Sequence, residues 1–152
     1  MWNCTVCHSI CDAGRELCGI CDKQTRDRAK ICIVEEYLDM LTIEQSGGYN
    51  GVYHILGGAI SPINGVFVGD LNFESLFHRI SESETNVEII LATNPNIEGE
   101  ATSAYLKEQI EKRAMKHKVL LTRLSRWLSS GYIEYADNIT LINAIKERKE
   151  MR

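Results

Sequence analysis

The sequence predicts an α/β fold in which a parallel sheet is flanked by helices and preceded by a small N-terminal knuckle of cysteines. Short apolar runs alternate with helical patterns, and strands joined by helical crossovers lie parallel in a sheet. Five of the six cysteines fall within the first 21 residues. A chain of 152 residues can bury a core without disulfides, so we interpret these clustered cysteines as metal ligands.

Residues 1–30 form the predicted knuckle. Cysteine, glycine and charged residues dominate this segment, and it has no hydrophobic periodicity. It therefore needs a cross-link to fold. Cys4 and Cys7 form one Cys-x-x-Cys pair, and Cys18 and Cys21 form a second pair after ten intervening residues. Two such pairs complete a tetrahedral shell of four thiolates, which suits structural Zn²⁺ and leaves no open position for catalysis. The spacing therefore predicts a structural zinc site.

Three nearby side chains leave alternatives open. Cys11 could exchange roles with Cys7 or remain a free thiol, and His8 could replace a ligand or lie beside the site. Cys32 falls inside an apolar run and is expected to be a small buried side chain. A redox Cys-x-x-Cys is the competing class, but a redox motif is expected once, at a strand-to-helix junction.

Strands and helices alternate from residue 31 onward. We predict strands at residues 31–34, 52–56, 87–92, 119–122 and 132–135, and helices at residues 36–45, 70–83, 99–116 and 140–149. Asp70 is the expected cap of the second helix, and Ala114 is expected on the apolar face of the third. The predicted division is a knuckle over 1–30, an α/β domain over 31–126, and a strand-helix extension over 127–152 that packs on that domain.

Polar side chains follow two of the predicted strands. Glu35 follows the first strand, and Asn94, Asn96 and Glu98 follow the third. Because ligands bind at the carboxyl ends of parallel strands, these side chains are expected to meet at one site. Paired carboxylates in such a place hold Mg²⁺ for phosphoryl chemistry. The simpler interpretation makes the asparagines turn and capping residues and Glu98 a helix N-terminal acid.

Charge is distributed unevenly along a chain whose net charge is −4. Residues 31–106 carry eleven acidic side chains and a single basic one, Arg79, whereas residues 107–126 carry seven basic and two acidic. Overall acidity argues against a generic DNA binder. The local basic group supplies the candidate DNA contacts: Lys107, Lys112, Arg113, Lys116, Arg123 and Arg126. A solvated helix face with a Glu108–Lys112 pair is the alternative.

The two polar segments resemble the Toprim domain of primases, topoisomerases and some nucleases. That family has a Glu after its first strand and an Asp-x-Asp motif, often followed by Glu-Gly, after a later strand. Glu35 matches the first element, and Asn94-Pro95-Asn96-Ile97-Glu98-Gly99 matches the second with both aspartates replaced by asparagine. An amide lacks the charge that binds Mg²⁺. We therefore expect a weak or absent Mg²⁺ site and a scaffold without catalysis.

The combination of knuckle and motif resembles the RecR family of bacterial recombination mediators. The matching segments include Leu17-Cys18-Gly19-Ile20-Cys21, Ile31-Cys32-Ile33-Val34-Glu35, Gly57-Gly58-Ala59-Ile60-Ser61-Pro62, Ala92-Thr93-Asn94-Pro95-Asn96 and Glu134-Tyr135-Ala136-Asp137. The resemblance implies a zinc-bearing protein of DNA repair that docks RecO and RecF through its Toprim surface and helps load recombinase onto gapped DNA. It also implies a homo-oligomer, a dimer or higher, in the bacterial cytoplasm near the nucleoid and not in a membrane.

Two departures qualify what the resemblance implies. The family normally begins with a helix-hairpin-helix region that carries much of its DNA contact, and this sequence begins at the knuckle. We therefore expect a chain lacking that region, with weak binding of gapped or junction DNA. Residues 127–132 also stand where the family has a Pro/Gly-rich turn. Two other functions are carried as alternatives: a Mg²⁺-dependent Toprim nuclease or nucleotidyl transferase using Glu35 and Glu98, and a zinc DNA-binding module using the basic group.

Overall fold

The structure, a computed structural model, describes residues 2–124 and 137–151. Its centre is a five-stranded sheet in the order β4-β3-β5-β6-β7, in which only β7 runs antiparallel to its neighbour. A two-stranded antiparallel hairpin of β1 and β2 precedes this sheet. The strands are β1 (Trp2–Asn3), β2 (Ile10–Cys11), β3 (Asp27–Val34), β4 (Gly51–Ile55), β5 (Val87–Leu91), β6 (Val119–Arg123) and β7 (Lys149–Glu150). The predicted α/β class and the parallel-dominant sheet are confirmed.

Helices cover both faces of the sheet. They are α1 (Gly19–Asp22), α2 (Tyr37–Ser46), α3 (Phe73–Glu82), α4 (Ile97–Lys112) and α5 (Asn138–Lys146), with two short 3-10 turns at Pro62–Asn64 and Val68–Asp70. α1 belongs to the knuckle. α3 and α4 pack on one face of the sheet, and α2 and α5 pack on the other. The parallel connections need such crossovers because a hairpin can join only antiparallel strands.

Strand β3 alternates its side chains between two cores. Ile31 and Ile33 pack with α3 and α4, whereas Cys32 and Val34 pack with α2 and α5. All four side chains are at most 3% exposed. This two-sided burial explains the unbroken apolar run, because a strand in the middle of a parallel sheet has no solvent face. Cys32 is the small buried side chain that the sequence predicts, and burial raises the pKa of its thiol.

The second predicted helix begins later than expected. α3 begins at Phe73, and Asp70 ends the preceding 3-10 turn instead of capping the helix. The Asp70 carboxylate accepts a hydrogen bond from the Phe67 N–H at 2.9 Å. Asp70 therefore stabilises the 3-10 turn that precedes α3 and does not cap α3 itself. The loop after β4 contains this additional turn before the helix starts.

The third predicted helix ends earlier than expected, and Ala114 does not lie on its face. α4 ends at Lys112, and Ala114 has a left-handed backbone with φ 58°. The N–H of Met115 donates to Ile110 O at 3.0 Å, and the N–H of Ala114 donates to Glu111 O at 3.2 Å. These two bonds are the Schellman motif, which normally uses glycine at the left-handed position. Because this chain has alanine at that position, the sequence does not indicate that the helix ends there.

The last predicted helix also ends early, because the chain turns back to the sheet. α5 ends at Lys146, and Lys149–Glu150 pairs antiparallel with β6. Arg148 forms an ion pair with Glu88 of β5, with Nη2 3.0 Å from Oε1. Both side chains are largely buried, so this pair directs the tail onto the sheet edge. The predicted strand at 132–135 and the turn before it lie outside the described residues.

α5 buries Leu141, Ala144 and Ile145 in the same core as Met40 and Ile43 of α2. The division at residues 30 and 126 stays a prediction, although β3 already begins at Asp27. Within the described ranges, none of the helices has the length and apolar character that crossing a membrane would need.

The alanine at the end of α4 gives a test of this helix end. Ala114→Gly is expected to raise the free energy of unfolding by about 0.5–1 kcal/mol, because glycine adopts φ 58° without the clash of a Cβ. The same substitution at Ala104, exposed inside α4, is expected to lower it by about 1 kcal/mol. Urea denaturation of both variants measures the two changes. Destabilisation of similar size in both variants would contradict the left-handed cap.

Candidate functional site

The four predicted cysteine ligands come together in the knuckle. The sulfur atoms of Cys4, Cys7, Cys18 and Cys21 all lie within 4.8 Å of one another, and all four residues are buried. A tetrahedral Zn²⁺ shell with Zn–S bonds of about 2.3 Å places its sulfurs about 3.8 Å apart. Cys7 Sγ lies 3.6 Å from Cys18 Sγ. The donor set and its spacing therefore fit a four-thiolate metal site.

Backbone turns of the knuckle point N–H groups at the sulfurs. The Ser9 N–H donates to Cys7 Sγ at 3.4 Å, and the Cys21 N–H donates to Cys18 Sγ at 3.4 Å. His8 makes the first turn possible with a left-handed backbone, φ 67°. The two Cys-x-x-Cys turns are well separated in the sequence. The first lies in the hairpin of β1 and β2, the second lies at the short helix α1, and the fold brings them together. Such hydrogen bonds to the ligand atoms stabilise thiolates.

The thiols of Cys7, Cys18 and Cys21 shift one another's pKa values through hydrogen bonds. Hydrogen bonding with Cys18 is the main cause that raises the pKa of Cys21 to about 12. Hydrogen bonds with Cys18 and Cys21, followed by burial, raise the pKa of Cys7. Hydrogen bonds from Cys21 and Cys7 lower the pKa of Cys18. A bound divalent cation would supply the positive charge that four neighbouring thiolates need.

Cys11 and His8, the alternative ligands, do not belong to the cluster of four sulfur atoms. Cys11 is outside the cluster, and its thiol donates to Arg15 O at 3.3 Å. His8 Nε2 lies 2.8 Å from Ser75 Oγ of α3, and the His8 ring packs edge-on against His54 with ring centroids 5.2 Å apart. His8 therefore faces the sheet domain and not the sulfur atoms.

Two contacts join the knuckle to the sheet. The Ile55 N–H at the end of β4 donates to Cys7 O at 2.8 Å. Arg28 of β3 donates through Nη2 to Cys21 O at 2.6 Å and to Lys23 O at 3.2 Å, which satisfies carbonyls at the end of α1. Each Cys-x-x-Cys turn is thus attached to a different strand. These contacts hold the cysteine cluster against the sheet.

The second candidate site lies at the carboxyl ends of β3 and β5. Glu35 is 8% exposed, and its Oε2 accepts a hydrogen bond from the Asn94 N–H at 2.6 Å. The two segments that follow these strands therefore meet, as the sequence predicts for parallel neighbours. The contact is made to the backbone of residue 94, so it does not depend on which side chain stands there.

The remaining motif residues start α4. Asn96 is its N-cap, with Oδ1 accepting from the Gly99 N–H at 2.8 Å, and Glu98 lies in the first turn. A Cβ at Gly99 would come within 1.8 Å of Asn94 O, so the turn requires glycine. Carboxylate and amide oxygens that could hold Mg²⁺ are therefore engaged in the backbone turn, at Glu35 and at Asn96. The geometry favours a structural role for this motif.

Exposed apolar side chains surround this edge of the sheet. Leu38 follows β3 and is 56% exposed, Ile97 follows β5 and is 86% exposed, and Ile63 lies in the loop after β4 and is 98% exposed. Phe67 of the same loop is 56% exposed. The loop lies against both neighbouring segments, since a Cβ at Gly58 would be 3.7 Å from Glu36 Oε1 and the Ile60 N–H donates to Thr102 Oγ1 at 2.9 Å.

The candidate DNA contacts do not form one group. Lys107, Lys112, Arg113 and Lys116 lie on α4 and the turn after it, and Arg126 lies outside the described residues. Lys112 pairs with Glu108, as the alternative of a solvated helix face expects. Arg113 pairs with Glu74 and lies 4.2 Å above the Phe77 ring.

Arg123 belongs instead to a polar network beside the second site. Its Nη1 donates to Thr93 Oγ1 and to Ser103 Oγ, both at 2.8 Å, and its Nη2 donates to Glu100 at 2.7 Å. The Arg123 side chain is only 17% exposed. Sequence reasoning assigned Arg123 by charge alone and missed Thr93 and Ser103, whose positions on two different elements give no common sequence pattern.

Comparison with known proteins gives two matches. A family model described as a Toprim domain matches residues 29–125. The recombination protein RecR of Heliobacterium modesticaldum (strain ATCC 51547 / Ice1) is 43% identical to this chain over 149 residues, which cover 97% of this chain and 71% of that protein. Both matches confirm the resemblance drawn from the sequence motifs.

The buried carboxylate of Glu35 gives a test of its structural role. Glu35→Ala is expected to lower the free energy of unfolding by about 1–3 kcal/mol, because the Asn94 N–H loses its acceptor. Glu35→Gln keeps an acceptor oxygen and should cost less than about 1 kcal/mol. Glu98→Ala, at the start of α4, is the control and should cost about 0.3–1 kcal/mol. Denaturant unfolding measures all three, and equal losses for Glu35→Ala and Glu98→Ala would refute the role.

Proposed function

Since the chain belongs to the RecR family of Toprim-domain recombination proteins, whose members are mediators without catalysis, we propose that it docks RecO and RecF and helps to load recombinase onto gapped DNA. The proposed docking surface is the carboxyl edge of the sheet. We define this surface by its exposed apolar side chains, Leu38, Ile63, Phe67 and Ile97, together with Glu36 and Glu98.

One observation carries the docking proposal: Ile63 and Ile97 are 98% and 86% exposed, and their segments are joined by the hydrogen bond from the Ile60 N–H to Thr102 Oγ1. Apolar side chains grouped in this way at one edge mark interaction sites more often than scattered ones do. The acidic side chains between them give the surface a negative charge, which favours a partner with basic side chains at its interface.

The motif residues support a scaffold role because their side chains bind backbone N–H groups of the turn. Glu35 accepts from the Asn94 backbone, and Asn96 caps α4. Two of the four motif positions are amides in this chain, which leaves acids at Glu35 and Glu98 and reduces the negative charge that would hold Mg²⁺. A Mg²⁺-dependent nuclease or nucleotidyl transferase remains the alternative function.

Structural zinc is the proposed cofactor, held by Cys4, Cys7, Cys18 and Cys21. The spacing of the sulfurs and the two N–H···S hydrogen bonds support it. Bound zinc would supply the cohesion that residues 1–30 lack in apolar burial. The cysteines themselves supply the charge and shape of the site and leave no position for a substrate.

Gapped DNA and a second copy of the chain are further proposed partners. The proposed DNA contacts are the basic side chains that the sequence predicts: Lys107, Lys112, Arg113, Lys116, Arg123 and Arg126. Binding is expected to be weak, because Lys112 and Arg113 already pair with acids. A homo-oligomer and a place near the nucleoid are likewise proposed.

RecO binding tests the docking surface. Ile63→Ser and Ile97→Ser are each expected to weaken RecO binding by about tenfold or more, because truncating an interface anchor typically costs over 1 kcal/mol. Ile139→Ser is the matched control: Ile139 lies on α5 and is 74% exposed. Isothermal titration with purified RecO, repeated with RecF, measures the affinities. Unchanged RecO affinity in both surface variants would remove this surface from the proposal.

Cleavage of gapped duplex DNA tests the alternative enzyme. With Mg²⁺, the chain is expected to cleave no faster than Glu35→Gln, because Glu35 and Asn96 serve the backbone turn. The assay compares the two proteins over a range of Mg²⁺ concentrations. Cleavage that needs Mg²⁺ and is lost in Glu35→Gln would support the nuclease and contradict the scaffold.

Zinc content tests the knuckle. About one zinc per chain is expected, and Cys18→Ser should lose zinc, whereas Cys11→Ser should keep it because Cys11 lies outside the cluster. Zinc must displace thiol protons, as at Cys7 and Cys21, so affinity should fall as pH falls. Elemental analysis and chelator competition measure both. Equal zinc loss in the two variants, or affinity that does not depend on pH, would contradict the assigned ligands.

A further inference from the structure

Arg79 occupies an unusual position for a guanidinium. It is the single basic side chain among residues 31–106 and lies in the last turn of α3, half-buried. Its Nη1 donates to Tyr53 O at 2.7 Å and to His54 Nδ1 at 3.3 Å. Both acceptors are on β4, the strand whose end carries the knuckle. The side chain therefore reaches from α3 to β4, the strand that also donates to Cys7 O through Ile55.

No carboxylate pairs with Arg79 among residues 2–124 and 137–151. Each ion pair found in those ranges uses another cation. A partly buried cation without an anion is costly. Burial lowers the pKa of Arg79, and the thiols of Cys21, Cys7 and Cys4 act in the opposite direction. With zinc bound, all four sulfurs would be thiolates, and the cluster would be a source of negative charge for this unpaired cation.

His54 links the guanidinium to the knuckle. It is fully buried, and its Nε2–H donates to Asn72 O at 2.9 Å, which leaves Nδ1 as the acceptor for Arg79. The His54 ring contacts the His8 ring, and His8 directly follows Cys7. The next residue of β4, Ile55, donates to Cys7 O. Arg79 is therefore separated from the first Cys-x-x-Cys turn by a single layer of packed side chains.

We propose that Arg79 is the counter-charge of the four-thiolate site and holds it against β4. Four thiolates around Zn²⁺ leave two net negative charges, and a nearby cation that is screened little by water stabilises them. This inference rests on the proposed zinc site and adds a role for a residue outside it. Arg79 is a positioning residue, since it acts through charge and through His54.

The other basic side chains near the knuckle are either exposed, like Lys23, or already paired with a carboxylate, like Arg26 with Glu44. Arg15 pairs with Asp22, and both side chains are at least half exposed. Arg28 contacts Cys21 O, and it too is exposed. Water and salt screen exposed charges strongly and screen buried ones much less. Arg79 therefore supplies the counter-charge. Arg15, which carries the same charge, serves as the control in the zinc-affinity measurement.

Zinc affinity of the full chain, measured by competition with a chromophoric chelator, tests the proposal. Arg79→Gln is expected to bind zinc about 10–100-fold more weakly, as is typical when a group that supports metal ligands is lost. Arg79→Lys keeps the charge and should stay within about threefold of the wild type, as should Arg15→Gln. The loss in Arg79→Gln should persist at 1 M salt, where the Debye length is about 3 Å.

Cobalt supplies a second readout, because its thiolate charge-transfer bands show whether four sulfurs still assemble. Those bands should remain in Arg79→Gln at saturating Co²⁺. Wild-type affinity in Arg79→Gln, or an equal loss in Arg15→Gln, would overturn the counter-charge. If Arg79→Gln does not fold, Arg79→Lys decides, and a loss of about tenfold or more there overturns the proposal. A wild type without zinc overturns both this inference and the zinc site, whereas RecO docking is tested separately.

Discussion

The burial of β3 on both faces is the constraint on which the rest of the structure depends. Its last four side chains are at most 3% exposed, so helices must cover both faces of the sheet and the connections must cross over. The same strand carries Arg28 to the knuckle at its beginning and leads to Glu35 at its end. Both candidate sites are thus positioned by one strand.

The knuckle depends on chemistry of a different kind. Its buried side chains are chiefly the four cysteines, so cohesion comes from sulfur ligands and hydrogen bonds and not from apolar area. One Cys-x-x-Cys turn is attached to β4 through Ile55 and the other to β3 through Arg28. A metal held by these sulfurs would therefore stabilise the orientation of the knuckle relative to the sheet as well as its own fold.

The turn at the second site does not need acidic side chains at positions 94 and 96. Asn94 and Asn96 replace acids, yet the turn they belong to still meets Glu35 and still starts α4. The contacts that maintain the turn use backbone N–H groups and the Gly99 position, which do not need negative charge. A surface built on this turn can serve binding when it no longer serves catalysis, in agreement with membership of the RecR family.

The sequence by itself determined the α/β class, the four cysteines and the meeting of Glu35 with the segment after β5, because ligand spacing, buried apolar runs and the rule for parallel strand ends are local or topological. Only the tertiary structure decided the cap at Ala114, the return of Lys149–Glu150 to the sheet and the networks of Arg79 and Arg123. Each of these depends on groups far apart in the chain, or on a backbone conformation that the residue type conceals. The solitary charge of Arg79 among eleven acids was visible in the sequence, but its partner, a cluster of thiols on another segment, was not.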